Sequence, residues 1–232
     1  MNFQSIKPLV LFTAPPEAKR ILSRIRFKRI SLFNGHLYAL PDNHKQKLYI
    51  GLTGTGKVQA GINTSRFVSK IKPDLIIKMG ICGTLKNELK TGTYILLDNC
   101  YEADVPFAGK QINRITLYNM RTKTFKCDEQ INKSIKKIQP DIITGTGITV
   151  DRFISCDDIL LQKPLPLNPI AVDQEAAAII KCAYFNQIPF ASVFVVSDIV
   201  TKTDNSEKEI LEYLPEAAGK LCSLFLKLFL QK

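Results

Sequence analysis

No CxxC pair and no HExxH spacing occurs in this chain, whose only histidines are His36 and His44, so a zinc site has no ligand set to build on. No metal and no cofactor are expected. The six cysteines (Cys82, Cys100, Cys127, Cys156, Cys182 and Cys222) are scattered singly. Together with the lack of a basic, apolar, small-residue leader at the N-terminus, they point to reduced thiols in the cytoplasm rather than a disulfide framework. Long hydrophobic runs are missing too. The longest are strand-sized, and the C-terminal LCSLFLKLFLQK is short and interrupted by Lys227, so no membrane partner is expected. No Ser/Gly/Pro-rich linker, low-complexity tract or repeat divides the chain, and residues 1–232 read as one domain.

Positive charge is abundant, with a formal net charge of +11, and its pattern decides what it means. The densest stretches, KRILSRIRFKR (19–29) and INRITLYNMRTKTFK (112–126), carry neither RNP-type aromatics nor a recognition-helix layout. They read as solvated basic faces, and no nucleic-acid partner is expected.

Apolar runs bounded by turn residues alternate with segments of helical period, which predicts an α/β layout. Strands are expected in KPLVLFT (7–13), KLYIGLT (47–53), PDLIIKMG (73–80), YILLDNC (94–100), DIITGTG (141–147), IAVDQ (170–174) and FASVFVVSD (190–198). Helices are expected in PPEAKRILSRI (15–25), VQAGINTSRFVSKI (58–71), DEQINKSIKKI (128–138) and EAAAIIKCAYFN (175–186). A closing helix over 206–230 carries Pro215 as a possible kink. ISLFNGHLYAL (30–40) has Asn-Gly between two apolar runs, a hairpin signal that makes the early sheet mixed.

Two glycine motifs invite a nucleotide reading. Residues 51–58, GLTGTGKV, nearly match a phosphate-cradling loop, but Val58 stands where a Ser or Thr must ligate magnesium. GTG at 145–147 lacks the third glycine of a dinucleotide fingerprint. Both read as turns or close backbone approaches. More informative are three carboxylates at strand-to-helix junctions, where ligand sites gather: Glu17, Glu175 and Asp198. Each also has a plain structural reading, as a first-turn acid favoured by the helix dipole or as a turn former.

Three blocks, TGTGKVQAGINTSRFVSKIKPDLIIKMGICGTL (53–85), YILLDNCYEADV (94–105) and AVDQEAAAIIKCAYFNQIPFASVFVVSD (171–198), stand in one order and spacing. In them the chain resembles the purine nucleoside phosphorylase and nucleosidase superfamily, and within it the 5'-methylthioadenosine/S-adenosylhomocysteine nucleosidases. The resemblance implies a phosphorylase/hydrolase-type three-layer fold, a mixed central sheet flanked by helices, and hydrolysis of the N-ribosidic bond of a purine nucleoside. It also implies roles. Glu17 in TAPPEAK matches the glutamate that activates the attacking water, and Asp198 in VVSD matches the aspartate that protonates the departing base. Glu175 in VDQEAA matches the glutamate that accepts hydrogen bonds from the ribose hydroxyls. Phe153 matches the aromatic that stacks on the base and Ile154 a position whose backbone meets the base edge, with core packing as their alternative. Ile81, Gly83, Gln174 and Ser197 fall beside the substrate. Thr55, Val105 and Phe107 fall near positions that read the 5' substituent, some of them supplied by a partner subunit, so a homodimer is expected.

Such chemistry needs an acid and a base in opposite protonation states, so burial or a carboxylate neighbour is expected to raise the pKa of Asp198. The chain also departs from the family. Ile81 replaces a serine, Phe194 an arginine, and Gln174 a methionine beneath the ribose, while Lys78 stands where some phosphorylases have arginine. A bidentate phosphate site is poor without those groups, which favours hydrolysis over phosphorolysis. The alternatives are a futalosine hydrolase of menaquinone biosynthesis, a purine nucleoside phosphorylase, and a non-catalytic nucleoside-binding homologue.

Overall fold

The computed structural model describes residues 3, 5–32, 35–41, 44, 46–104, 124–162, 164–202 and 206–230. Four parallel strands form the centre of one sheet: β1 (Pro8–Phe12), β4 (Tyr49–Leu52), β5 (Leu75–Thr84) and β10 (Phe190–Ile199). Their sequences are near-continuous apolar runs because both faces are covered. Alternate residues of each strand enter different cores. Val10, Phe12, Ile77, Met79, Val193 and Val195 pack with α1 (Pro15–Arg24), α3 (Glu129–Ile138) and α5 (Ser206–Phe229). Leu9, Leu11, Ile76, Phe194 and Val196 pack with α2 (Lys57–Ile71) and α4 (Ala176–Phe185). The result is the expected three layers, helices on both sides of a mixed sheet.

The sheet does not simply lie open. From β5 it continues through β1 and β4 to the antiparallel pair β3 (Gly35–Ala39) and β2 (Lys28–Leu32). In the other direction β10, β6 (Tyr94–Glu102), β8 (Ile143–Thr149) and β9 (Ala171–Asp173) return to β5, closing a ring. β5 therefore carries two different neighbours on one edge. β1 pairs with it up to Lys78, and β9 pairs with it only from Gly83 onward. Between them the backbone of residues 79–82 is open on that edge.

Most expected elements are present. β5 runs to Thr84, past the expected end at Gly80, because its second half pairs with β10 and β9. β7 (Phe125–Lys126), which pairs with β6, and a 3₁₀ turn at Ile159–Gln162 are too short to leave a periodic signal. α5 continues through Pro215. Asp128 caps α3 by accepting from the N–H groups of Gln130 and Ile131, both at 2.9 Å. Asp198 is not a turn residue, as its position after FASVFVVS suggests; it lies within β10, at a bulge.

Gly51, in the middle of β4, is glycine for packing rather than for ligand approach. A Cβ there would lie 2.7 Å from two ring carbons of Phe67 and 2.8 Å from a Leu11 methyl. Gly51→Ala is expected to lower stability by about 1–3 kcal/mol through overpacking, read from the denaturant midpoint. An unchanged midpoint would show that the α2 layer gives way freely.

Candidate active site

The open edge of β5 is filled from α1. Pro15 and Pro16 start that helix directly after β1, which brings Glu17 to the third helical position, facing back over its own N-terminus. One carboxylate oxygen, Oε2, accepts from the N–H groups of Thr13 (2.7 Å) and Ala14 (3.1 Å). The other, Oε1, accepts from the N–H of Ile81 at 3.1 Å, one of the backbone groups that neither β1 nor β9 pairs. Glu17 is buried and completes the sheet edge with a side chain.

A second helix start lies opposite. α4 follows β9, and Asp173 at the end of that strand holds the helix: its Oδ2 accepts from the N–H groups of Glu175 (3.1 Å) and Ala176 (2.7 Å). Thr149 donates to its Oδ1 at 2.5 Å and accepts from the N–H of Ala177. This fixes Glu175 at the N-cap position with its carboxylate turned inward. Glu175 Oε2 accepts from the Thr13 hydroxyl at 2.9 Å, and Oε1 accepts from the N–H of Gly56 at 2.9 Å. Lys78 Nζ donates to Thr13 Oγ1 at 2.5 Å and lies 3.9 Å from Glu175 Oε2. Burial pushes Glu175 up to about 7; Lys78 opposes that rise and Asp173 adds to it. Burial likewise raises Asp173, again against the pull of Lys78.

Asp198 sits at the other end of the same space. The register of β10 against β5 slips between Val196 and Asp198, leaving Ser197 as the extra residue of a bulge. The Ser197 hydroxyl has two acceptors in reach, the carbonyl of Cys82 at 3.0 Å and Asp198 Oδ1 at 2.7 Å. With one proton it serves one of them, and both contacts are satisfied together when Asp198 itself carries a proton. Burial raises Asp198 above the usual aspartate range, opposed by the Ser197 hydrogen bond. That is the direction expected from sequence. Gly83 leaves room for it, since a Cβ there would stand 3.1 Å from Asp198 Oδ2 and 2.6 Å from a Val200 methyl.

The three carboxylates line one cavity of about 510 Å³. Thr55, Ile81, Gly83, Phe153, Ile154, Gln174 and Ser197 line it with them; Val105 and Phe107 lie outside the described residues. Phe153 is 48% exposed, which is not core packing, whereas Ile154 is buried. Sequence reasoning missed Thr13 and Asp173, which hold the carboxylates. It also missed Ile210, Leu211 and Leu214 of α5, which form an apolar wall. Their only signal is apolar spacing at one turn on a helix start. Phe194 does not reach the cavity; it is buried, with its ring centroid 5.8 Å from Lys78 Nζ.

The glycine loop before α2 belongs to the same site and excludes a phosphate cradle. Gly56 takes a φ of 85°, a left-handed conformation suited to glycine, and aims its N–H at Glu175. The next N–H, of Lys57, donates to Asp151 Oδ1 at 2.9 Å. Lys57 Nζ pairs with Asp104 at 2.5 Å and Asp151 at 3.4 Å. The anions at this helix N-terminus are the protein's own carboxylates. Among the described residues no cluster of three or more His, Cys, Asp or Glu could hold a metal ion, and no helix is long and apolar enough to cross a membrane.

The buried Glu175 makes stability pH-dependent. Its folded value, about 7, lies above the ordinary 4.5, so the folded state holds the proton more tightly and stability is lost as pH rises through that window. Glu175→Gln cannot ionise. Its unfolding free energy is expected to improve relative to the parent between pH 4.5 and 7, measured by denaturant titration across pH. Parallel curves would contradict the assignment.

The sequence profile of the phosphorylase superfamily matches residues 9–230. A Staphylococcus aureus (strain bovine RF122 / ET3-1) 5'-methylthioadenosine/S-adenosylhomocysteine nucleosidase is 29% identical over 194 residues, covering 82% of this chain and 80% of the relative. The corresponding protein of strain JH9 is 28% identical over 202 residues, 85% of each chain. In three dimensions the chain superposes on the Neisseria meningitidis nucleosidase of that name in complex with methylthio-immucillin-A, with a TM-score of 0.84 at 21% identity, over 96% of this chain and 97% of the other. A Helicobacter pylori nucleosidase of the same name gives a TM-score of 0.86 at 16% identity, over 98% of both chains. These two likenesses establish the fold, and the profile match over almost the whole chain establishes the family: this chain belongs to the phosphorylase superfamily.

Proposed function

We propose that this chain hydrolyses the N-ribosidic bond of a purine nucleoside of the 5'-methylthioadenosine/S-adenosylhomocysteine type, releasing free base and a ribose derivative. The observation that carries the reading is the grouping of Glu17, Glu175 and Asp198 on one cavity, each buried and each held differently. The names of the Staphylococcus aureus relatives supply the substrate class. In this reading 1–232 works as one unit, in the cytoplasm and as a homodimer, and a place in methionine salvage follows from the substrate.

Asp198, whose carboxyl burial raises above the usual aspartate range, gives its proton to N7 of the purine as the electrons of the C1'–N9 bond move into the base. The sugar becomes oxocarbenium-like. Glu175, as a carboxylate, accepts the ribose hydroxyls and faces the developing positive charge. Water adds to C1' and loses its proton to Glu17, whose position is set by three backbone N–H groups. Phe153 stacks on the base, Ile154 meets its edge, and Gly83 and Ser197 shape the space around Asp198. Gln174 lies under the ribose. Thr55, Val105 and Phe107 read the 5' group, together with apolar residues of which some come from the partner subunit.

Hydrolysis rather than phosphorolysis is favoured by the apolar Ile81 beside Glu17, which offers no hydroxyl to an anionic nucleophile. Arg152 lines the cavity, but it is engaged by Asp158 through two hydrogen bonds of 3.0 and 2.7 Å. Base release should be measured from 5'-methylthioadenosine, S-adenosylhomocysteine, inosine and futalosine, each with and without phosphate. The expected outcome is phosphate-independent release, fastest from the first two. Phosphate-dependent formation of a ribose 1-phosphate would overturn it. Asp198→Asn is expected to lower kcat by at least about 10²-fold, as loss of a general acid does.

A further inference from the structure

Lys78 is the one lysine or arginine that is fully buried among the described residues. It sits in an apolar strand stretch, between Ile77 and Met79, and an aliphatic residue would suit those neighbours without the cost of desolvating an ammonium. Two residues along β5 from Ile76, it faces the same side of the sheet as Ile76 and Phe194, its Nζ 5.8 Å from the Phe194 ring centroid. Its Nζ emerges beside the carboxylates of Glu175 and Glu17 without itself lining the cavity. Glu175 Oε2 is 3.9 Å away, and Thr13 Oγ1, hydrogen-bonded to both, links the two. Glu17 is close as well. A Cβ on Gly80 would fall 2.8 Å from Lys78 Nζ and 2.9 Å from Glu17 Oε1, so glycine at that position lets the cation and the carboxylate approach across the strand.

We propose that Lys78 is a positioning residue for the nucleosidase reaction proposed above: from behind the cavity wall, it supplies the buried positive charge that lets Glu175 serve the ribose as an aimed carboxylate. The charges facing Glu175 come from every element around it. Lys78 of β5 favours its ionised form, as does the Gly56 N–H at the start of α2; Asp173 of β9 and Glu17 of α1 oppose it. Without Lys78, two carboxylates and burial act on Glu175 against one backbone N–H and the Thr13 hydroxyl. A neutral Glu175 would turn a proton toward Thr13 or the substrate and would no longer face a cationic sugar with negative charge. The Thr13 bridge makes the effect geometric too. Thr13 donates to Glu175 while its oxygen accepts from Lys78, so its single proton is directed to the carboxylate.

The test needs no substrate. In protein carrying ¹³C-labelled glutamate, the carboxyl resonance absent from Glu175→Gln is followed against pH in the parent, in Lys78→Met and in Lys78→Gln. The parent midpoint is expected at about 7, and both variants are expected to titrate at least about one pH unit higher. Lys78→Gln keeps a neutral hydrogen-bond donor for Thr13 and guards against a Lys78→Met protein that fails to fold. An unmoved midpoint in the variants, or a change in Lys78→Met alone, would overturn the charge role. In turnover assays at neutral pH the same variants should lose about fivefold in kcat/KM for the first pH unit by which the Glu175 midpoint rises and about tenfold for each further unit, and recover as the pH is raised. A merely structural lysine would depress activity equally at all pH. A raised midpoint in the variants of a protein that cleaves no nucleoside would uphold the link between Lys78 and Glu175 and overturn the nucleosidase reading instead.

Discussion

The constraint on which the site depends is that β5 outruns its neighbour. β1 pairs with it as far as Lys78 and β9 takes up the same edge at Gly83, leaving a short stretch of backbone that no strand satisfies. Buried backbone groups must find partners, and the one at Ile81 finds Glu17. The ring of strands on one side and the open sheet on the other diverge at this gap, so a cavity forms where they part. Two helix N-termini, those of α1 and α4, point into it and favour the carboxylates gathered there.

Among the described residues four buried acids, Glu17, Asp173, Glu175 and Asp198, line that space, with one buried lysine beside them. Backbone donors make up the difference. Glu17 has three of them, Asp173 two with Thr149, and Glu175 one with Thr13. Asp198 has, among the described residues, the Ser197 hydroxyl alone, which also faces Cys82. The least-supported acid, Asp198, is thereby the one suited to hold a proton. Different hydrogen-bond supply within one cavity sets the acid apart from its neighbouring carboxylates.

Much of the architecture was legible in the sequence, because strands buried on both faces leave continuous apolar runs and each core helix keeps its period. The carboxylates were legible as a set only through the ordered blocks around them. Singly, each had an adequate structural reading. Other features had no local signal. The two-sided pairing of β5 is a property of strands distant in sequence, and Asp173 looked like the end of a short strand rather than the residue that anchors α4. Lys78 could be seen as an oddity in an apolar run, but its partners come from α1 and α4. The glycine loop at 51–58 was legible as a turn, but not its partner: the anion it meets is Glu175, over a hundred residues away in the chain.

The most direct measurement is a crystal structure with a non-cleavable 5'-methylthio purine nucleoside analogue. The ribose hydroxyls should lie within hydrogen-bond distance of Glu175, purine N7 beside Asp198, and a water between Glu17 and the anomeric carbon. A nucleoside bound with its base at Glu175 and its sugar at Asp198, or bound outside this cavity, would contradict the account.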